Sequence, residues 1–205
     1  MFILFEGVEG SGKTTQARRL YRRLSHRGQE VLLVREPGGT AVGNAIRRIL
    51  KHRLEIELSP LTELLLFAAA RAQLVSQAIR PALERGTIVI GDRYAESTLA
   101  YQGYGRGIDL EVVRTINTIA TGGLQADLII LLDLDPEKGL LRKGSGYGND
   151  RFEREALDFH HRVRQGYLEM ARSEPKRWLI LDASASPQII ADTVWERVQS
   201  ALGKE

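Results

Sequence analysis

The sequence of 205 residues contains no cysteine, which excludes a disulfide scaffold, a thiolate metal site and a cysteine nucleophile. No apolar run approaches the roughly 20 residues that a membrane-spanning helix requires, and the first residues lack the basic segment and cleavage site of a signal peptide. We therefore expect a cytoplasmic protein without a membrane partner. The four histidines form no metal-binding pattern, and we expect all of them at the surface: His26, His52, His160 and His161.

Lysine is also scarce, because only six of the 29 basic residues are lysine and the others are arginine. The planar guanidinium of arginine suits bidentate recognition of phosphate. Solvated helix faces would account for the same composition, and the net charge of +3 is modest. Composition alone therefore leaves open both a nucleotide enzyme and a nucleic-acid-binding protein.

Short and nearly continuous apolar runs recur along the chain, as is typical of strands that are buried on both faces of a parallel sheet. They predict strands at residues 2–5, 31–34, 87–90, 128–132 and 178–181. Helical patterns separate them at residues 13–27, 40–51, 60–85, 110–120, 151–172 and 187–202. This alternation predicts an α/β fold in three layers, with a five-stranded parallel sheet and helices on both faces. No repeat or linker interrupts the pattern, so we expect a single domain spanning residues 1–205.

A phosphate-binding motif directly follows the first predicted strand. The chain reads Gly7-Val8-Glu9-Gly10-Ser11-Gly12-Lys13-Thr14-Thr15 and matches the pattern G-x-x-x-x-G-K-[ST]. Its glycines let backbone N–H groups surround a polyphosphate, its lysine supplies a positive charge, and its first threonine offers a hydroxyl to Mg²⁺. A helix N-terminus at the same place also favours an anion. The sequence therefore predicts a P-loop NTPase fold that binds ATP through residues 7–15.

A P-loop alone does not identify the reaction. The D-x-x-G and N-K-x-D motifs of GTPases occur nowhere in the chain, and neither candidate strand ends in the adjacent acids that are typical of motor ATPases. A kinase for a small acceptor is therefore favoured. Phosphoryl transfer requires two anions held in line and neutralised, and three arginines follow element ends where a second anion would bind: Arg35, Arg47 and Arg93. Asp92, next to the best placed of them, is a candidate ligand of Mg²⁺ or, alternatively, a helix cap.

One segment is unlike the rest of the chain. Residues 142–151 contain three glycines and are flanked by Arg142, Lys143 and Arg151. They predict a small lid that carries cations and closes over the polyphosphate, excluding water from the reaction. A plain flexible connection is the alternative.

Taken together, these motifs resemble the bacterial thymidylate kinase (dTMP kinase) family. The resemblance covers essentially the whole chain in the family's order, and the segments that carry it beyond the P-loop are residues 35–40 (Arg-Glu-Pro-Gly-Gly-Thr), 92–94 (Asp-Arg-Tyr), 100–103 (Ala-Tyr-Gln-Gly) and 150–153 (Asp-Arg-Phe-Glu). It implies the reaction ATP + dTMP → ADP + dTDP with Mg²⁺, small-molecule partners rather than nucleic acid, and a homodimer. A kinase for another monophosphate and a nucleic-acid-dependent ATPase are the alternatives.

The resemblance also implies a role for individual residues. Lys13, Glu9 and Arg93 would be catalytic, with Glu9 at the 3′-hydroxyl side of the deoxyribose or at water bound to magnesium. The acceptor's phosphate would contact Arg47 and Arg93, beside Glu36 and Pro37. The base and sugar would contact Phe67, Arg71, Ser97, Thr98, Tyr101 and Gln102, with Phe67 stacked on the thymine, Arg71 at the base edge and Tyr101 crowding the 2′ position. From the pattern alone, Phe67 fits the core better than it fits a base platform.

One feature departs from a subgroup of the family. Position 10 is glycine, so the P-loop lacks the basic residue of that subgroup. The catalytic cation is then expected from the lid, which points to Arg142, Lys143 or Arg151. Among these three we favour Arg142, with Arg151 as a second catalytic candidate.

Overall fold

The computed structural model describes residues 1–52, 57–144 and 151–203. Five strands form one sheet: β1 (Phe2–Glu6), β2 (Val31–Arg35), β3 (Ile88–Asp92), β4 (Leu128–Asp133) and β5 (Trp178–Asp182). The strand order is β2-β3-β1-β4-β5, and every neighbouring pair is parallel. Consecutive side chains of β1 and β3 are all buried, so both faces of the sheet are covered. The predicted five-stranded parallel sheet is thus confirmed, with β3 ending two residues later than expected and each of the other strands one residue later.

Nine helices surround the sheet in the described part of the chain. They are α1 (Lys13–Ser25), α2 (Ala41–Arg47), α3 (Pro60–Leu74), α4 (Arg80–Glu84), α5 (Ala95–Thr98), α6 (Leu110–Thr121), α7 (Pro136–Lys143), α8 (Leu157–Ser173) and α9 (Pro187–Leu202). Turns of π-helix extend α2, α3 and α5 at Arg48–His52, Val75–Ile79 and Leu99–Gly105. A 3₁₀ turn, Arg151–Arg154, precedes α8. Within the described ranges, no helix combines the length and apolar character that crossing a membrane requires.

Two helices are absent from the sequence prediction. Helix α5 with its π-helical extension has no side-chain cap at its N-terminus, so no local signal marks its start. Helix α7 does carry such a signal, because Asp135 caps it and Pro136 occupies its first turn. The predicted helix at residues 151–172 begins later, at Leu157, after the 3₁₀ turn. These corrections matter because α5 and its extension form one wall of the site described below.

Candidate active site

The loop between β1 and α1 has a backbone that strongly favours glycine at three positions. Gly7, Gly10 and Gly12 have φ angles of 139°, 69° and 93°, in the region that disfavours side chains. A Cβ atom on Gly10 would lie 2.0 Å from the carbonyl oxygen of Gly139, and one on Gly7 would lie 2.5 Å from that of Leu132. The loop is therefore closely packed against α7 and the end of β4, and its shape depends on its glycines.

Lys13 is buried at the start of α1, where its Nζ donates to the carbonyl oxygen of Val8 at 2.6 Å and to Ser11 Oγ at 3.3 Å. Burial lowers the pKa of Lys13 to about 7, and the nearby Arg93 guanidinium acts in the same direction. An anion in the loop would oppose both effects and favour the charged ammonium. The lysine is thus held at the loop by two weak acceptors that an anionic phosphate can replace.

Two oxygen-bearing side chains meet beside the loop. Thr14 Oγ1 donates to Asp92 Oδ2 at 2.5 Å, and the aspartate is buried at the end of β3. A hydroxyl and a carboxylate are suitable ligands for Mg²⁺, which prefers oxygen and usually takes few ligands from the protein itself. Groups of three or more histidine, cysteine or acidic side chains that could hold a metal are absent from the described residues. The pair therefore fits a magnesium ion that is completed by phosphate and water.

Arg93 follows β3 in a left-handed conformation, with a φ of 74° that is strained for a residue other than glycine. Its Nη2 donates to Glu9 Oε1 and to the Tyr101 hydroxyl, both at 2.9 Å. Its Nη1 donates to Ser97 Oγ at 3.1 Å and to the Tyr167 hydroxyl at 3.3 Å. Although burial alone would lower it, the pKa of Arg93 stays above its ordinary value because of these tyrosines and of nearby carboxylates. The left-handed conformation therefore directs the Arg93 guanidinium, which stays positively charged, between the P-loop and α5.

Glu9 is the acidic partner of Arg93 inside the P-loop. The Tyr101 hydroxyl lies 2.7 Å from both of its carboxylate oxygens, and His160 Nδ1 lies 3.6 Å from Oε2. Burial raises the pKa of Glu9, but Arg93, the His160 hydrogen bond and Lys13 together outweigh it, so its pKa falls well below the usual range. The carboxylate is therefore ionised at neutral pH.

The prediction that all four histidines lie at the surface is wrong for His160. This side chain on α8 is only 1% exposed and contacts Glu9. His26 and His161 are exposed, whereas the side chain of His52 lies outside the described residues. Nothing in the sequence distinguishes His160 from the adjacent His161, so only the packing of α8 against the π-helical turn Leu99–Gly105 reveals its position.

Two adjoining cavities open at the carboxyl edge of the sheet. The larger, of about 270 Å³, is lined by Glu9, Gly10, Gly12, Lys13, Thr14, Thr15, Arg35, Glu36, Arg47, Lys51, Asp92, Arg93, Lys143 and Glu153. The smaller, of about 30 Å³, is lined by Glu9, Pro37, Lys51, Phe67, Arg93, Ser97, Thr98, Tyr101, Gln102 and Phe152. Glu9, Lys51 and Arg93 line both. The structure therefore brings most of the predicted site residues to the walls of these two adjoining cavities, and Arg47 and Arg93 line the larger one together with the P-loop. The predicted site residues that line neither cavity are Gly7, Val8, Ser11, Arg71, Arg142 and Arg151.

Phe67 lies partly buried between the core and the smaller cavity. Its ring centroid is 5.8 Å from that of Phe152, which is itself buried. The two alternatives for Phe67 were a core residue and a platform for the base. Each describes part of its environment, since the ring packs on the protein and also borders the cavity. Phe152 and Lys51 line the cavity as well, although no sequence pattern indicates a role for either.

Arg71 lies behind the smaller cavity rather than in it. It is 1% exposed, and its Nε donates to Glu36 Oε2 at 2.9 Å. Its Nη1 donates to Asn117 Oδ1 at 2.7 Å, and its Nη2 to the Tyr94 carbonyl oxygen and Thr98 Oγ1 at 2.9 and 2.8 Å. Arg71 was expected at the base edge; in this structure its guanidinium, which requires acceptors because it is buried, donates to four acceptors of the protein. Burial also raises the pKa of Glu36 to about 7, which the Arg71 charge partly opposes.

The lid prediction falls largely on residues 145–150, which lie outside the described residues. At its start, Arg142 is exposed and its Nη1 donates to the carbonyl oxygen of Ala183 at 2.9 Å, away from both cavities. Lys143 instead lines the larger cavity, and its Nζ lies 2.7 Å from Glu153 Oε1. Arg151 is half-buried in the 3₁₀ turn. In this structure Lys143, rather than the favoured Arg142, lines the larger cavity, because neighbouring helical residues point about 100° apart.

These observations define a class of protein. A parallel α/β sheet whose first strand leads through a glycine loop into a helix, with a Thr–Asp oxygen pair beside it, is a P-loop nucleotide-binding fold. A family model described as thymidylate kinase matches residues 5–194. The chain belongs to the thymidylate kinase family.

Individual relatives match over nearly the whole chain. A thymidylate kinase from Dehalococcoides mccartyi is 51% identical over 203 residues, covering 99% of this chain and 97% of the relative. One from Syntrophotalea carbinolica is 49% identical over 207 residues, covering 98% and 96%. The crystal structure of thymidylate kinase from Ehrlichia chaffeensis is 33% identical, covers 97% of this chain and 98% of that one, and has a TM-score of 0.79. The fold and family expected from the sequence are thereby confirmed.

Proposed function

We propose that this protein transfers the γ-phosphoryl group of ATP to dTMP and forms dTDP. The observation that carries the proposal is the pair of adjoining cavities, one polar and built on the P-loop, the other walled by aromatic rings, with Arg93 and Glu9 between them. One space for a polyphosphate and another for a flat base, joined at a cation, suit a kinase that acts on a nucleoside monophosphate. The family membership specifies thymidine as the nucleoside.

The donor's phosphates bind in the P-loop in this proposal. The backbone N–H groups of residues 7–15 and the N-terminus of α1 surround the β-phosphate, and Lys13 leaves the carbonyl oxygen of Val8 to contact the β- and γ-phosphates. Thr14 and Asp92 would hold Mg²⁺, which would supply positive charge to the polyphosphate. The buried position of Lys13 keeps water away from its charge and so strengthens its interaction with phosphate.

The acceptor's 5′-phosphate binds between Arg47 and Arg93. Both side chains line the larger cavity, and Arg47 Nη1 is positioned by the carbonyl oxygen of Pro37 at 2.9 Å. The attacking phosphate oxygen is already ionised at neutral pH, so the reaction requires alignment and charge neutralisation rather than a general base. Among the predicted lid residues, we assign the role of catalytic cation to Lys143, because it lines the cavity that holds the phosphates.

The nucleoside occupies the smaller cavity. Phe67 stacks on the thymine, while Thr98 and Gln102 border the edge of the base. In this proposal the Tyr101 ring, which lines the smaller cavity, crowds the 2′ position of the sugar, and its own hydroxyl is fixed by Glu9 and Arg93. A ring held in this way cannot move aside, which favours deoxyribose over ribose.

We also propose a homodimer of single-domain subunits in the cytoplasm. All five strands join one sheet, and α2, α3 and α6 carry exposed large apolar residues, namely Val42, Leu61, Leu65, Val112 and Ile119. Such a group of apolar residues is typical of a protein interface. Light scattering should give twice the monomer mass of 22.9 kDa, and Leu65→Glu should shift it to the monomer mass. A monomeric wild-type protein would contradict the dimer.

A substrate panel tests the catalytic proposal. Initial rates with ATP, Mg²⁺ and each of dTMP, dUMP, UMP, CMP and dGMP should give the highest kcat/KM for dTMP. Lys13→Ala under the same conditions controls for contaminating kinases. A higher kcat/KM for any of the other four acceptors would overturn the assignment of dTMP, while leaving the P-loop kinase class intact.

A further inference from the structure

Gln102 has an amide whose orientation is set by the protein. The residue lies in the π-helical turn Leu99–Gly105, is 1% exposed and lines the smaller cavity. Its Nε2 donates to Glu63 Oε1 on α3 at 2.8 Å. Among the described residues, no group donates a hydrogen bond to Gln102 Oε1. One end of the amide is therefore bound to the protein, and its carbonyl end remains available to a ligand.

Glu63 is held as an acceptor by Arg106. The carboxylate is 1% exposed, and Arg106 donates to Oε1 from Nε and to Oε2 from Nη2, each at 3.1 Å. Such a forked pair favours the ionised carboxylate. An ionised carboxylate only accepts hydrogen bonds, so Gln102 can present only its NH₂ group to Glu63. Rotating the amide by 180° would place two oxygens against each other in a buried site.

We propose that Glu63, fixed by Arg106, determines base specificity by locking Gln102 with its carbonyl oxygen towards the base. This inference rests on the proposed function, in which the base lies beside Gln102. A fixed carbonyl oxygen accepts from the ring N–H of thymine or uracil, whereas the corresponding ring nitrogen of cytosine carries a lone pair and is repelled. A glutamine that was free to rotate would accept either base, so the discrimination depends on Glu63 as a positioning residue.

The central test is the variant Glu63→Gln. Its neutral amide either accepts from or donates to Gln102, so it allows both orientations of the glutamine at nearly unchanged volume. We expect the ratio of kcat/KM for dTMP to that for dCMP to fall by about tenfold or more, because hydrogen-bond complementarity is the main source of such discrimination. The KM for ATP should stay unchanged.

Two further variants separate this role from a merely structural one. Glu155→Gln removes the other carboxylate that contacts Arg106, at 2.7 Å, without touching Gln102, and should leave the ratio unchanged. Gln102→Leu should lower the ratio, and adding Glu63→Gln to it should lower the ratio no further, because residues that act through one group are not additive. If Glu63→Gln fails to fold, Arg106→Lys loosens the same carboxylate and should also lower the ratio.

The outcomes are distinct. An unchanged dTMP/dCMP ratio in a folded Glu63→Gln enzyme, or an additive effect in the double variant, would overturn the inference and leave the proposed function untouched. A wild-type enzyme without preference for dTMP over dCMP would instead contradict the proposed function itself. The fold of each variant is checked by its thermal melting curve.

Discussion

The donor and acceptor sites of this protein are built in different ways. Apart from Asp92, the donor site consists of contiguous residues, which form a loop that depends on its glycines and whose backbone N–H groups would surround the phosphates. The acceptor site is assembled from side chains on α2, α3, the π-helical turn after α5 and the 3₁₀ turn before α8. A backbone site depends on local conformation, and a side-chain site depends on the packing of distant elements. We therefore expect substitutions in the donor site and substitutions in the acceptor site to have different effects on the kinetic parameters for ATP and for dTMP.

The largest effect is expected at Lys13. Replacement by alanine removes the positive charge from the P-loop and should lower kcat by about 1,000-fold. Stability should not fall, because burial already lowers the pKa of this ammonium and so destabilises its charged form. Steady-state kinetics and thermal unfolding measure the two quantities. Near-normal turnover would contradict the assignment of the donor site.

Phe67→Ala tests the acceptor side of the comparison. Loss of the stacking ring should raise the KM for dTMP by about 10- to 100-fold, in keeping with 1–3 kcal/mol per stacked base. The KM for ATP should change little, because Phe67 lines only the smaller cavity. Phe67→Tyr retains the ring and is the matched control. Loss of the circular-dichroism signal in the alanine variant would show instead that the ring mainly supports the core.

The same contrast explains what the sequence could predict. The P-loop, the strands and the class of fold follow from local patterns. The P-loop depends on neighbouring residues, and the buried strands β1 and β3 are visible as short apolar runs. The positions of Arg71 and His160 depend on which elements pack together. Arg71 was expected at the base edge, yet Glu36, Asn117 and Thr98 surround it. These partners come from three separate parts of the chain, so no spacing along the sequence indicates them.

A smaller effect should distinguish two adjacent lid residues. Lys143→Ala removes the cation that lines the larger cavity and should lower kcat by about tenfold. Arg142→Ala removes a side chain that donates to the Ala183 carbonyl oxygen and should change kcat by less than about twofold. The two variants control for each other, because they lie on the same helix and remove the same charge. A larger loss in Arg142→Ala would show that the lid rearranges to bring that arginine to the phosphates.

An effect smaller than that of Lys143→Ala is expected at His160, which contacts Glu9 without lining either cavity. Its Nε2 is buried and accepts or donates no hydrogen bond within the described structure, so His160→Leu chiefly removes the contact of Nδ1 with Glu9. We expect kcat/KM for dTMP to fall by about fivefold in His160→Leu and to recover in His160→Asn, whose amide can donate in place of Nδ1. A role in packing alone predicts the reverse, because leucine fills a buried apolar site better than asparagine does. Kinetics and melting temperatures of the two variants therefore decide whether this buried histidine orients the P-loop carboxylate or only supports α8.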